Sequence, residues 1–146
     1  YFARSTDQQM LGLWLEAKKS LEKALALKYD AHIIHAYATL LYDLWAGADA
    51  LIYVDMAIDG APDVPNFWQT KARIVQDLYR DDQTLVESVY TDGLRATKND
   101  IDLITLYASY LGQIGQKQEA IRYWGKAIEK NPSARDVYQS EIKNLQ

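Results

Sequence analysis

Residues 101–134 read IDLITLYASYLGQIGQKQEAIRYWGKAIEKNPSA and carry the clearest structural signal in the chain. Their apolar side chains recur at the alternating spacing of three and four that places them on one face of a helix. Gly115 interrupts this spacing, and Asn131-Pro132 ends it because proline cannot continue a helix. The stretch therefore predicts two helices joined by a short turn, which together form a helical hairpin.

The same pattern occurs 70 residues earlier in the sequence. Of the twelve patterned positions compared between the two stretches, eight carry identical residues. In the earlier stretch these identical positions are Ile34, Tyr37, Ala38, Leu41, Ala50, Ala57, Ile58 and Pro62. Two unrelated amphipathic hairpins would share apolar character but not this many identities at one offset. The chain therefore contains a repeated hairpin.

The repeat extends over the whole sequence, which predicts an all-α domain over residues 1–146 with about three and a half hairpins. The predicted units are a partial repeat at 1–30, full repeats at 31–64, 65–100 and 101–134, and a capping helix at 135–146. A capping helix with one apolar face is expected because each hairpin buries its apolar surface only against its neighbours.

Three polar residues are placed to begin helices. Asp30 precedes the first helix of residues 31–64, Asp82 precedes the second helix of the following repeat, and Ser133 precedes the final helix. Short polar side chains at such positions accept hydrogen bonds from the first backbone N–H groups of a helix. We therefore predict that all three residues act as N-caps.

Composition narrows the classes of function. The 146-residue chain has a formal net charge of -4, which provides no basic surface for nucleic acid. No apolar run approaches the ~20 residues that span a bilayer, so we expect no membrane span in this chain. The absence of cysteine excludes disulfides and thiolate catalysis but leaves the compartment open.

His32 and His35 are the only histidines, and they lie one helical turn apart. Two such side chains can reach one metal ion, but the spacing fixes no third ligand. The sequence also lacks a nucleophile elbow, a phosphate-binding glycine loop and a carboxylate pair with a dictated convergence. We therefore expect no metal site and no cofactor, and we predict that the protein is not an enzyme.

The hairpin pattern resembles the tetratricopeptide repeat family, whose units are helical hairpins of 34 residues. The resemblance covers essentially the whole chain. In residues 101–134 the family's small residues, turn glycine, helix aromatic and closing proline correspond to Ala108, Ala120, Ala127, Gly115, Trp124 and Pro132. In residues 31–64 the matching positions are Ala38, Ala50, Ala57 and Pro62.

The chain also departs from the family pattern. Ile34 and Ile104 stand where the family commonly has tryptophan, and Val86 and Gly93 replace alanines in the third repeat. The third repeat also lacks the closing proline.

The resemblance implies antiparallel helical hairpins stacked as a right-handed superhelix, with a concave groove lined by the first helix of each unit. Such a groove binds a peptide or a partner protein. The groove positions implied for this chain are His32, His35, Thr39, Tyr42, Asp43, Gln69, Arg73, Gln76, Asp77, Asp102, Thr105, Ser109 and Gln113. The leading hypothesis is therefore a protein-interaction scaffold, by analogy with the family.

Aromatic residues divide into two groups. The four on the packing stripes are predicted to be buried: Tyr37, Trp68, Tyr107 and Trp124. Tyr42 and Tyr110 are less clearly buried, and exposed tyrosines at these positions would serve as anchors for a peptide.

Other interpretations stay open. A groove that is merely solvated and holds no ligand is one of them. A second is a structural subunit that assembles end to end into a filament or ring through Tyr1 and Phe2, where the sequence begins abruptly. A third is the soluble repeat portion of a larger, membrane-attached protein.

Overall fold

The computed structural model of the protein describes residues 10–20 and 30–146. Within these ranges the regular structure is entirely helical, which confirms the all-α class predicted from the sequence. No helix in the described part of the chain is both long and apolar enough to cross a membrane. The helices are α1 (residues 10–20), α2 (Ala31–Asp43), α3 (Gly47–Gly60), α4 (Pro65–Leu78), α5 (Gln83–Ala96), α6 (Ile101–Gln113), α7 (Lys117–Lys130) and α8 (Arg135–Leu145).

Packing divides the chain into two compact units, and the division falls within α5, between Val86 and Glu87. In the first unit α2 packs against α3, and α3 packs against α4. In the second unit α6 packs against α7, and α7 packs against α8. Neighbouring helices thus pack as hairpin-like pairs, as the sequence predicts.

The interior of each unit is built from the predicted apolar stripes. In the first unit Ile34 and Val54 are fully buried, and Leu41 is 1% exposed. Leu103 and Ile104 take the corresponding role in the second. Alanines fill the closest contacts, because a short side chain allows two helix backbones to approach. The fully buried alanines are Ala38, Ala50, Ala57, Ala108, Ala120 and Ala127.

The aromatic residues predicted to be buried are buried. Tyr37 and Tyr107 are each 5% exposed, Trp68 is 8% exposed and Trp124 is 6% exposed. The indole of Trp68 also donates a hydrogen bond of 2.7 Å to the carbonyl of Pro62. A buried indole N–H needs such an acceptor, so this bond helps fix the loop between α3 and α4.

Two of the three predicted N-caps are confirmed. Asp30 accepts hydrogen bonds from the backbone N–H groups of His32 and Ile33, at 2.9 and 3.4 Å. Asp82 accepts one from Leu85 N–H at 3.1 Å. These carboxylates satisfy backbone donors that the first turn of a helix leaves unpaired.

The predicted cap at Ser133 is wrong. Pro132–Ala134 form a 3-10 turn, and α8 follows it with Ala134 at the N-cap position and no side-chain cap. Ser133 Oγ instead donates to Asn131 Oδ1 at 2.7 Å. Proline ends α7 as expected, but the tight turn that follows moves the start of the last helix beyond the reach of the serine hydroxyl.

Candidate functional site

The exposed faces of α2 and α4 carry the candidate site of the first unit. His35 Nε2 on α2 and Thr70 Oγ1 on α4 form a hydrogen bond of 2.7 Å. Thr39 Oγ1, one turn along α2, donates to the carbonyl of His35 at 3.0 Å. All three side chains are half-buried. The bond between His35 and Thr70 therefore ties neighbouring polar positions of two different helices at the protein surface.

Phe67 supports both histidines from below. Its ring is 1% exposed and lies with its centroid 5.3 Å from the ring of His32 and 4.7 Å from that of His35. Burial, and to a smaller degree the nearby His32, lowers the pKa of His35. His35 is thus held in its neutral form near pH 7, where one ring nitrogen donates and the other accepts.

A second link joins α2 to α4 near their C-terminal ends. The hydroxyl of Tyr42 donates a hydrogen bond to Asp77 Oδ2. This bond, followed by desolvation and the negative charge of Asp77, raises the pKa of Tyr42. Like the bond between His35 and Thr70, it joins residues 35 positions apart in the chain. The two links therefore occur at the same sequence offset along this helix pair.

A cavity of about 620 Å³ opens beside the bond between Tyr42 and Asp77. A volume of this size lies within the range of natural ligand pockets. The cavity lies where the end of α2, the α2–α3 turn and the end of α4 meet. Its lining residues are Tyr42, Asp43, Trp45, Gly47, Asp77, Leu78 and Arg80.

The other predicted residues of the first unit lie on the outside of α4. Gln69 and Gln76 are half-buried, and Arg73 is exposed. The structure therefore places the predicted positions of this unit at its surface, and none of them is buried.

The predicted residues of the second unit lie on α6. Asp102, Ser109 and Gln113 are exposed, and Thr105 is half-buried with its hydroxyl donating to the carbonyl of Asp102 at 3.0 Å. Ser109 and Gln113 line a small cavity of about 270 Å³. Its other lining residues are Ala108, Gly112, Trp124, Glu141, Asn144 and Leu145. This unit presents short polar groups where the first presents histidines.

The expectations for Tyr110 and for the chain start have different outcomes. Tyr110 is 7% exposed and packs against Tyr90 with ring centroids 5.8 Å apart, so its predicted role as an exposed anchor is wrong. Tyr42 keeps an exposed portion. Tyr1 and Phe2, the predicted assembly end, lie outside the described residues.

The part of the chain that the structure describes contains no group of three histidine, aspartate or glutamate side chains positioned to hold a metal ion. This includes the surroundings of His32 and His35, whose rings lie against Phe67. The contacts recorded for His35 are therefore those of a packed, hydrogen-bonding surface residue.

Sequence reasoning missed Phe67, Thr70 and Trp45 as parts of this surface. Phe67 and Thr70 lie three residues apart on α4, and the helical spacing by itself does not show which α2 side chains they meet. For Trp45 a signal was present, because the offset of 70 that aligns the hairpins pairs it with the turn glycine Gly115.

Comparison with known proteins adds no relative. No protein-family model matches the chain, and a search of curated proteins finds no match.

Proposed function

We propose that this protein is a non-catalytic scaffold of the tetratricopeptide repeat type, which binds a peptide or partner protein. In this proposal the hairpins stack as a right-handed superhelix, and the polar faces of α2, α4 and α6 line its groove. The proposal combines the repeat pattern of the sequence with the surface formed by α2 and α4.

The observation that carries the proposal is the pair of links between α2 and α4. His35 meets Thr70, and Tyr42 meets Asp77, across two first helices that belong to successive predicted repeats. These side chains are partly exposed and held in place by one another. Polar groups fixed in advance lose little conformational freedom when a partner binds, which favours recognition at such a surface.

The chemistry of this surface suits hydrogen bonding to a peptide backbone and to polar side chains. Neutral imidazole, hydroxyl, amide, carboxylate and guanidinium groups all occur within two helices. Such a mixture supplies both donors and acceptors, so a bound peptide finds partners for its N–H and C=O groups.

The proposal is tested by capturing partners with immobilised protein from an extract of the source cells. The triple variant His35→Ala, Arg73→Ala, Gln76→Ala alters the surface of α2 and α4. Its matched control is Asp59→Ala, Lys117→Ala, Gln118→Ala, which alters exposed polar residues of α3 and α7. We expect the surface variant to lose partners that the wild type and the control retain. Identical partner sets for all three proteins would contradict the groove assignment.

The alternative of end-to-end assembly stays a separate hypothesis, because it rests on Tyr1 and Phe2. Light scattering of the purified chain over a range of concentrations tests it. Growth of the particle mass with concentration would favour assembly, and a monomer that persists on dilution or concentration would exclude it.

A further inference from the structure

The turn between α2 and α3 contains an unusual backbone conformation. Trp45 has a φ of +66°, in the left-handed region that L-residues with large side chains rarely adopt. Its N–H donates to the carbonyl of Tyr42 at 3.1 Å, and the N–H of Ala46 donates to the carbonyl of Leu41 at 2.8 Å. This is the left-handed C-terminal cap of a helix, a position that favours glycine.

The matching turn of the second unit contains that glycine. Gly115 has a φ of +87° and donates to the carbonyl of Gly112 at 3.3 Å. The following N–H, of Gln116, donates to the carbonyl of Leu111 at 2.8 Å. The two turns therefore have the same hydrogen bonds, and the turn of the first unit has a tryptophan where glycine is the favoured residue.

The tryptophan side chain does not offset this strain by packing. Trp45 is 91% exposed, whereas Trp68 and Trp124 are buried. An indole is one of the largest apolar surfaces a protein carries, and leaving it in water is unfavourable. Backbone strain at an exposed aromatic side chain is typical of a residue kept for contact with a ligand.

The surroundings of Trp45 indicate the charge of that ligand. Asp43 and Asp77 line the 620 Å³ cavity with Trp45, together with the apolar side chain of Leu78, which is 42% exposed. A neighbouring cavity of about 480 Å³ shares Asp77 and Leu78 and adds two further carboxylates, those of Asp81 and Asp82. Four carboxylates thus line the two cavities.

The only positive group among these lining residues is the guanidinium of Arg80. An excess of carboxylates around an exposed indole favours a cation, because the face of an indole attracts positive charge. Arginine suits the site best, since its planar guanidinium stacks on aromatic rings and forms paired hydrogen bonds with carboxylates.

We propose that this cavity binds an arginine side chain of a partner protein, with the guanidinium stacked on Trp45 and facing Asp43 and Asp77. The proposal rests on the proposed function, because Asp43 and Asp77 also belong to the predicted groove. It adds the chemistry of the partner: a basic segment that contacts the turn between α2 and α3.

The experiment titrates the ¹⁵N-labelled chain with capped hexa-arginine and follows the indole N–H resonances by NMR. Capped hexa-glutamate provides the charge-reversed peptide. We expect hexa-arginine to shift the resonance of Trp45 in a saturable manner while those of Trp68 and Trp124 stay in place. Hexa-glutamate should shift none of them. Absence of a shift at Trp45 would overturn the proposal.

Two variants test the assigned contacts, and tryptophan fluorescence or calorimetry gives their affinities. Trp45→Gly keeps a residue that suits the turn, so loss of binding cannot be ascribed to misfolding. We expect it to weaken hexa-arginine binding about tenfold. Asp43→Asn, Asp77→Asn should weaken binding similarly, whereas the control Asp59→Asn, Asp63→Asn removes the same charge elsewhere and should have less than about a twofold effect. Equal losses in the two double variants would reduce the interaction to net charge and contradict the proposal.

The remaining outcomes separate this inference from the proposed function. If hexa-arginine fails to bind but the His35, Arg73 and Gln76 triple variant still loses its captured partners, only the arginine pocket is wrong. If hexa-arginine binds and the triple variant retains every partner, the groove assignment is wrong and the pocket stands. A resonance of Trp45 that shifts with protein concentration alone, with dimers in light scattering, would show that a second copy occupies the cavity and would overturn the proposal.

Discussion

The hairpin of α2 and α3 and the hairpin of α6 and α7 are built around the same aromatic contact. Tyr37 and Tyr53 meet edge to face with ring centroids 4.8 Å apart in the first. Tyr107 and Tyr123, each 70 residues later, meet at 4.7 Å in a similar orientation in the second. Edge-to-face contacts of this kind add stabilisation beyond the buried area. The two hairpins therefore share the geometry of their interiors as well as their sequence pattern.

The helix starts also match. Asp30 caps α2, and Asp100 caps α6 by accepting a hydrogen bond from Leu103 N–H at 3.1 Å. Capping by an aspartate typically contributes ~1 kcal/mol. Shared residues thus specify where helices begin and how they pack.

The differences between the hairpins fall mainly at the turn and on the polar face. Trp45 replaces Gly115 in the turn, and His35 replaces Thr105 on the first helix. One interior position also differs, with Val54 in the first hairpin and Trp124 in the second. The comparison teaches that a hairpin fold tolerates exchange at the surface, so that recognition is free to differ between repeats.

The interior difference provides the largest expected effect. Trp124 is 6% exposed and packs against Tyr138 of α8 with ring centroids 5.7 Å apart. We expect Trp124→Ala to lower the free energy of unfolding by about 3 to 5 kcal/mol, because it leaves a large cavity. Val54→Ala, at the matching position, should cost about 2 kcal/mol. Urea unfolding followed by circular dichroism measures both, and equal losses would contradict the assigned packing.

The turn difference gives a smaller effect. Gly115→Ala places a side chain at a positive φ, although a Cβ there would meet no atom within 4 Å. We expect a loss of ~1 kcal/mol in the free energy of unfolding, arising from backbone conformation alone. Gly125→Ala is the control, because that glycine lies inside α7 and its added Cβ also meets nothing within 4 Å. It should stabilise by ~0.5 to 1 kcal/mol. A gain in both variants would show that the turn is not strained.

The polar-face difference gives the smallest effect, and it depends on pH. Because the pKa of His35 is lower in the folded chain than its ordinary value of 6.5, the unfolded chain takes up this proton first as the pH falls. The stability contributed by neutral His35 is therefore present above pH 6.5 and is lost as the pH falls through the folded pKa.

The variant His35→Thr gives α2 the residue found in α6 and should flatten this part of the pH dependence. Urea midpoints measured between about pH 8 and pH 5 test it. Gln69→Thr on α4 introduces the same side chain without removing a titrating group, so its curve should run parallel to that of the wild type. If His35→Thr also runs parallel, His35 does not contribute to the pH dependence.

Much of the fold follows from the sequence, because apolar spacing is a local property of each helix. The buried Tyr37 and Tyr107 and the cap at Asp30 were predictable in this way. Ser133 shows the limit: one tight turn after α7 moves the next helix start beyond its side chain. Chain spacing identifies the candidate and the local backbone decides whether it acts.

The candidate site was less accessible to sequence reasoning. The predicted positions on α2 and α4 do lie at the surface, but the meeting of Tyr42 with Asp77 depends on how two helices pack. The importance of Trp45 depends on its backbone angle, which apolar spacing does not encode. A tryptophan is usually read as core, and only its pairing with Gly115 shows that it occupies a turn.

The central claim is that Trp45 is retained for binding at the expense of stability. Thermal unfolding of the wild type and of Trp45→Gly, each with and without hexa-arginine, tests it directly. Without peptide, Trp45→Gly should unfold about 2 to 4 °C higher, because relief of the left-handed strain exceeds the entropy cost of the new glycine. Hexa-arginine should raise the unfolding temperature of the wild type and leave that of the variant unchanged. A variant that unfolds at a lower temperature than the wild type, or that is stabilised equally by the peptide, would contradict this account.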